Sequence, residues 1–137
     1  MNETPANPAK ILVIDDNAII QRTVQLALQE LGYQTVVTGE IAEALNFVRR
    51  EKPALILLDI NFPPDSATFS GGLRDGFWAL EWMRYLGELE GVPVIVISGD
   101  DPIAAKPRAL AAGARAYLHK PIRKDELAAT VAELLKK

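Results

Sequence analysis

Five polar residues stand at the ends of short apolar runs, and their side chains are suited to phosphoryl transfer. They are Asp15, Asp16, Asp59, Ser98 and Lys120. Three carboxylates in one crevice repel one another unless a cation neutralises them, and Mg²⁺ is typically held by carboxylates, waters and phosphate oxygens. A carboxylate can attack phosphorus, while a lysine and a hydroxyl can contact the phosphoryl oxygens. If the five converge, they predict magnesium-dependent phosphoryl transfer.

Each of these residues alone has an ordinary structural explanation. A single Asp after a strand is most often a helix cap or a turn residue, and an isolated Ser or surface Lys needs no function. Convergence of all of them on one edge of one sheet is much harder to explain in this way. The prediction therefore depends on the elements that position them.

Short apolar runs alternate with helical patterns along the chain, which predicts an α/β fold. In the first helical pattern Ile20, Val24 and Leu28 recur at helical spacing, and Gly32 marks the end of that helix. A third helix is predicted from about Gly76 to Leu86. The predicted strands are Lys10–Asp16, Tyr33–Thr38, Ala54–Asp59, Pro93–Ser98 and Arg115–Leu118.

A succession of βα units predicts a doubly wound parallel sheet, because right-handed crossovers place helices on both of its faces. In such folds ligands bind at the carboxyl ends of the strands. The five polar residues all lie at or just beyond such ends, so the fold brings them to one edge of the sheet.

Composition narrows the classes of function. The 137 residues fit one domain, which we assign to residues 10–137 after a polar, flexible N-terminal segment, residues 1–9. The absence of cysteine and the single histidine exclude thiol chemistry and disfavour histidine-rich metal sites. A net charge of -3 gives no electrostatic reason to bind nucleic acid directly. No signal peptide or membrane-length apolar run is present, so we expect a cytoplasmic protein without membrane insertion.

The chain resembles the receiver domains of two-component response regulators, over essentially the whole span from Lys10 to Lys136. That resemblance implies a flavodoxin-like (βα)5 fold with strand order 2-1-3-4-5. The motifs that carry it are ILVIDDN at Ile11–Asn17, ALILLDIN at Ala54–Asn61, DG at Asp75–Gly76, PVIVISG at Pro93–Gly99 and AAGARAYLHKPI at Ala111–Ile122.

The resemblance implies a role for each acid of the predicted site. Asp59 would be the phosphoacceptor. Asp16 would ligate Mg²⁺ directly, and Asp15 would act largely through bound water. The backbone carbonyl of Asn61 would supply a further metal ligand, leaving its side chain to influence hydrolysis of the phosphate.

The remaining motif residues would sense the phosphate. Lys120 would pair with the phosphoryl group and precede Pro121 through a cis peptide bond. Ser98 would move toward the phosphate, and Tyr117 would turn inward as an aromatic switch, although a half-buried strand aromatic is the plainer reading. His119, beside Lys120, is expected at the surface rather than as a phosphoryl carrier.

A receiver domain implies a sensor histidine kinase or a histidine phosphotransfer protein as donor, and a downstream protein target. It would catalyse only its own phosphorylation and dephosphorylation, with no separate substrate. A receiver-like interaction module that needs no phosphate is one alternative. A magnesium-dependent phosphatase with an Asp nucleophile is another, but such enzymes usually carry a D-x-D pair on one strand. The predicted last helix runs to Lys137, so we expect no output region within this sequence.

Two departures from the family pattern and one exposed residue carry further expectations. The segment Phe62–Gly72 is about nine residues longer than usual; it is either a tolerated insertion or a loop that covers the site or meets a partner. Pro107 falls inside the expected fourth helix, so we expect that helix to begin near Lys106 or Pro107, after an irregular segment Asp101–Ala105. Ile19 lies off the core stripe of the first helix and is expected to be exposed near Asp16, as a kinase contact.

Overall fold

The computed structural model describes residues 9–60, 76–85, 87 and 91–135, with the side chains of residues 76–79 and 82 excepted. Residues 1–8, Asn61 and the segment Phe62–Gly72, for which the sequence carried predictions, lie outside the described residues. Five strands and five helices alternate through the described part of the chain. The strands are β1 (Lys10–Ile14), β2 (Gln34–Thr38), β3 (Leu55–Asp59), β4 (Val94–Ser98) and β5 (Ala116–His119). The helices are α1 (Ala18–Glu30), α2 (Ile41–Glu51), α3 (Gly76–Tyr85), α4 (Pro102–Ala111) and α5 (Lys124–Leu135).

The sheet is parallel throughout and has the predicted strand order, β2-β1-β3-β4-β5. The three inner strands are buried on both faces, which explains why they are nearly continuous apolar runs rather than alternating ones. The outer strand β2 is only partly buried. The doubly wound α/β fold predicted from the sequence is confirmed.

Two apolar cores lie on opposite faces of the sheet. Side chains of α1 and α5 cover one face, with Val24, Leu28 and Val131 fully or almost fully buried. Side chains of α2, α3 and α4 cover the other face, among them Leu80 and Ala109. Within the described residues, no helix is long and apolar enough to cross a lipid bilayer.

The predicted strand ends lie within two residues of the observed ones. β1 ends at Ile14, so Asp15 and Asp16 follow the strand instead of closing it, and β5 is shifted by one residue toward His119. These shifts leave every strand-end polar residue at the same edge of the sheet.

The expectation of an irregular start to α4 is wrong. The helix begins at Pro102, where a proline at the first position loses no hydrogen bond, and the Asp101 side chain caps it by accepting from Ile103 N at 3.0 Å. Pro107 lies within the helix and cannot donate to the carbonyl of Ile103, but both residues are exposed, so water can reach that carbonyl. Burial of Ala105 and Ala109 anchors the helix on either side of the proline.

Candidate functional site

Strand register brings the acids together. Ile14 of β1 is paired with Leu58 of β3, so the residues that follow them, Asp15 and Asp59, lie side by side. The first residue beyond β1 is held in line because Asp15 N donates to the carbonyl of Thr38 at 3.0 Å. Carboxylate oxygens of Asp15, Asp16 and Asp59 all lie within 4.8 Å of one another. The predicted acid cluster is therefore formed.

Lys120 follows β5 and approaches the same cluster from the side opposite to β1. Ser98 of β4 is paired with His119 of β5, and Lys120 N donates to the carbonyl of Ser98 at 2.8 Å, so Lys120 emerges level with the end of β4. Its Nζ lies 3.2 Å from Asp59 Oδ1 and 3.7 Å from Asp15 Oδ2. The Lys120–Pro121 peptide is cis, as the family resemblance implied.

The cleft holds two buried acids and one exposed acid. Asp15 is 0% exposed and Asp59 is 1% exposed, whereas Asp16 faces solvent. Burial is the main cause that raises the pKa of Asp15, to about 6. A hydrogen bond from Asn17 N lowers that pKa, the Asp59 carboxylate raises it, and the Lys120 ammonium lowers it. Ionisation of Asp15 is therefore costly in the metal-free fold even with the Lys120 ammonium nearby.

One oxygen of Asp15 indicates which kind of ligand the cleft can hold. Asp15 Oδ1 accepts from Asn17 N at 2.8 Å, but Oδ2 is buried without a hydrogen-bond donor among the described residues. An unsatisfied carboxylate oxygen beside two other carboxylates is the donor set of a hard divalent cation. The residues present therefore fit Mg²⁺.

Ser98 and Tyr117 are connected through the backbone of one residue. Ser98 is fully buried, and its Oγ accepts from Asp100 N at 2.9 Å, which leaves the hydroxyl proton available to another acceptor. The Tyr117 hydroxyl donates to the carbonyl of Asp100 at 3.2 Å. Tyr117 is half-buried and packs against the apolar core below α4. The backbone of Asp100 therefore contacts both side chains.

Comparison with known proteins identifies the family. A model of the response regulator receiver domain matches residues 11–132. The chain belongs to this family. The receiver domain of the Francisella response regulator 1452 is 31% identical, with a TM-score of 0.79 over 95% of this chain and 98% of that one. A putative response regulator from Chloroflexus aurantiacus is 25% identical, with a TM-score of 0.82 over 96% of this chain and 100% of that one.

A curated relative of this receiver domain is the transcriptional regulatory protein YxdJ of Bacillus subtilis. It is 31% identical over 122 residues, which make up 89% of this chain and 48% of that protein. The chain spans about half the length of the curated relatives it matches.

Two further residues, Ile19 and His119, were expected at the surface of the protein. Ile19 is 75% exposed on the first turn of α1, as predicted, and His119 is exposed. Asn61, the expected source of a metal-ligating carbonyl, lies outside the described residues.

Sequence reasoning missed three residues around the acid pair of this receiver domain. Asn17 caps α1, and its side chain accepts from the amides of Ile19 and Ile20. Its place just before a helical pattern is a recognised capping signal. Gln21 donates a side-chain hydrogen bond to the carbonyl of Asp15, and Gly39 packs against Asp16. No sequence pattern marks these two contacts, because the first is made to a backbone carbonyl and the second joins two separate loops.

Proposed function

We propose that this receiver domain takes a phosphoryl group from a phosphohistidine donor onto Asp59, with Mg²⁺, and thereby switches a protein-interaction face. One observation carries the proposal. The Asp59 carboxylate is buried within 3.2 Å of the Lys120 ammonium, and two further carboxylates converge on the same cleft. Phosphoryl transfer depends mainly on such positioning and charge neutralisation.

Mg²⁺ would be held by Asp16 directly, by Asp15 largely through water, by Asp59 and by the backbone carbonyl of Asn61. When bound, it supplies the positive charge that offsets three carboxylates and the incoming phosphoryl oxygens. The buried Oδ2 of Asp15, which accepts no hydrogen bond from the described residues, and the spacing of the three carboxylates support this assignment.

The chemical step balances with residues of this chain. A carboxylate oxygen of Asp59 attacks phosphorus, and the phosphorus–nitrogen bond of the donor breaks, its electron pair leaving on the imidazole. Lys120 is already beside Asp59 and pairs with a phosphoryl oxygen as negative charge accumulates there. The Ser98 hydroxyl, whose oxygen accepts from Asp100 N before transfer, donates a hydrogen bond to a second phosphoryl oxygen. Hydrolysis of the aspartyl phosphate returns the domain to its resting state.

Phosphorylation then changes the conformation of Tyr117. If Ser98 moves toward the phosphate, its hydrogen bond with Asp100 N changes, and Asp100 carries the acceptor of the Tyr117 hydroxyl. Release of that hydroxyl lets Tyr117 turn inward and alters the face formed by α4, β5 and α5. A downstream protein that reads this face is the proposed partner, and any effect on nucleic acid would be indirect.

Chemical trapping tests this function. After incubation with acetyl phosphate and Mg²⁺, borohydride reduces an aspartyl phosphate to homoserine, and peptide mapping locates it. We expect homoserine at position 59 alone, and less of it in Lys120→Ala. Homoserine at Asp15 or Asp16, or none at all, would refute Asp59 as phosphoacceptor. Turnover of free phosphate esters would favour the phosphatase alternative.

A further inference from the structure

The peptide between Asp15 and Asp16 is held by residues that contribute nothing to the acid cluster itself. Gln21, on the second turn of α1, donates from its side-chain amide to the carbonyl of Asp15. That carbonyl is the only point at which the described side chains donate to the backbone of the acid pair. The half-buried Gln21 thus ties the acid pair to the helix that follows it.

A second contact meets the same peptide from the loop between β2 and α2. A Cβ added at Gly39 would lie 3.2 Å from Asp16 Cα and 3.6 Å from the Asp15 carbonyl oxygen. The first distance is too short for an unstrained contact, so a side chain at position 39 would push the acid pair by a few tenths of an ångström. Gly39 lacks a positive φ, so what matters here is space rather than backbone freedom.

We propose that Gln21 is a positioning residue for the metal-binding acids, and that the absence of a side chain at Gly39 lets it act. This inference rests on the proposed function. Three carboxylates within 4.8 Å repel one another, and the single positive charge of Lys120 offsets only part of this repulsion. The hydrogen bond from Asp15 N to Thr38 holds one side of the Asp15–Asp16 segment, and the carbonyl of Asp15 needs a contact of its own. The amide of Gln21 provides that contact by fixing the carbonyl between the two acids.

The choice of cation follows from this rigidity. Mg²⁺ requires near-ideal octahedral geometry and short bonds, whereas Ca²⁺ accepts irregular geometry and longer ones. Loss of an outer hydrogen bond typically lowers metal affinity by about 10- to 100-fold. Loosening the acid pair should therefore weaken Mg²⁺ more than Ca²⁺, an asymmetry that general destabilisation of the fold does not produce.

The test compares Gln21→Met with Gln25→Met. Both remove a side-chain amide from α1 at nearly constant volume, and Gln25 lies one turn further along the helix, also half-buried. Calorimetric titration of the unphosphorylated full chain with Mg²⁺ and with Ca²⁺ gives both affinities, and melting in EDTA reports stability. We expect Gln21→Met to weaken Mg²⁺ binding by about tenfold or more and Ca²⁺ binding by much less, with Gln25→Met close to native.

Gly39→Ala provides a second route to the same displacement and should also lower the Mg²⁺ affinity relative to Ca²⁺. Suppose that the native protein binds Mg²⁺ and accepts phosphate. If Gln21→Met and Gly39→Ala then bind Mg²⁺ as tightly as the native protein does, Gln21 has no positioning role. Equal loss of Mg²⁺ and Ca²⁺ affinity would also overturn the inference, since it indicates a scaffold effect. If the native chain neither binds Mg²⁺ nor accepts phosphate, the proposed function fails, and this inference fails with it.

Discussion

At the scale of single residues, the fold buries the Asp15 carboxylate and so makes its ionisation unfavourable. Burial raises its pKa to about 6 from an ordinary value of 3.8. Between these values the folded protein binds a proton that the unfolded chain releases. Asp15 therefore destabilises the metal-free protein progressively as pH rises from about 4 to about 6, and its full penalty is present above that range.

Asp15→Asn should relieve this penalty. In EDTA at about pH 7.5 we expect the free energy of unfolding to rise by about 2 kcal/mol, a somewhat smaller effect than the full pKa shift implies because the contact with Lys120 is also changed. The gain should shrink as pH falls toward about 4. Urea unfolding at both pH values measures it, with Asp16→Asn as the exposed control. A loss of stability at neutral pH would show that Asp15 is held by favourable interactions instead.

Ile19 gives a prediction about the donor. This apolar side chain is 75% exposed beside the acid pair, so Ile19→Lys should slow phosphotransfer from a histidine kinase while leaving phosphorylation by acetyl phosphate unchanged. Tyr85→Lys is the matched control, since Tyr85 is 87% exposed at the end of α3, where the chain leads to the start of β4 and not to the carboxyl ends of the strands. Parallel loss with both donors, or equal slowing in the control, would count against docking at Ile19.

The residues of the candidate site were predictable because they share a position, at or just beyond the end of an apolar strand. Asp59 and Lys120 could be identified in this way and do lie together. Gln21 could not be, because a glutamine on a half-buried helix position has no distinctive pattern, and its partner is a backbone carbonyl that only the folded chain brings near. Side chains that act on the backbone leave little trace in a sequence.

At the scale of elements, α4 shows tertiary contacts overriding helix propensity. An interior proline costs about 3 kcal/mol, which led to the wrong expectation of a late helix start. Three features compensate: Asp101 caps the first turn, Ala105 and Ala109 are buried, and Arg84 Nη1 donates to the carbonyl of Ala112 at 2.7 Å beyond the last turn. Only the cap and the alanine spacing are local, and the contact with Arg84 depends on how α3 packs.

Pro107→Ala should therefore stabilise the protein. It restores a donor for the carbonyl of Ile103, and we expect the free energy of unfolding to rise by about 1 to 3 kcal/mol. Pro102→Ala is the matched control, because a proline at the first helical position removes no hydrogen bond, while both substitutions loosen the unfolded chain alike. Urea unfolding of both variants decides the comparison. If Pro107→Ala is no more stable than Pro102→Ala, the helix bears no penalty from its proline.

At the scale of the whole molecule, the order of strands converts scattered residues into a site. β1 and β3 are neighbours although α1, β2 and α2 separate them in sequence, so the acid pair meets Asp59. Alternation of apolar runs and helical patterns was enough to predict a parallel sheet, but the strand order came from the family resemblance, since many orders satisfy the same pattern. The role of the segment Phe62–Gly72 remains a prediction.

Intact mass spectrometry is the most direct test of whether Asp59 accepts phosphate. The native chain and Asp59→Asn are each incubated with acetyl phosphate and Mg²⁺, and a parallel native sample contains EDTA. We predict that the native chain gains the mass of a single phosphate only when Mg²⁺ is present, and that Asp59→Asn gains none. An unmodified native chain, or the same gain in Asp59→Asn, would show that Asp59 is not the phosphoacceptor.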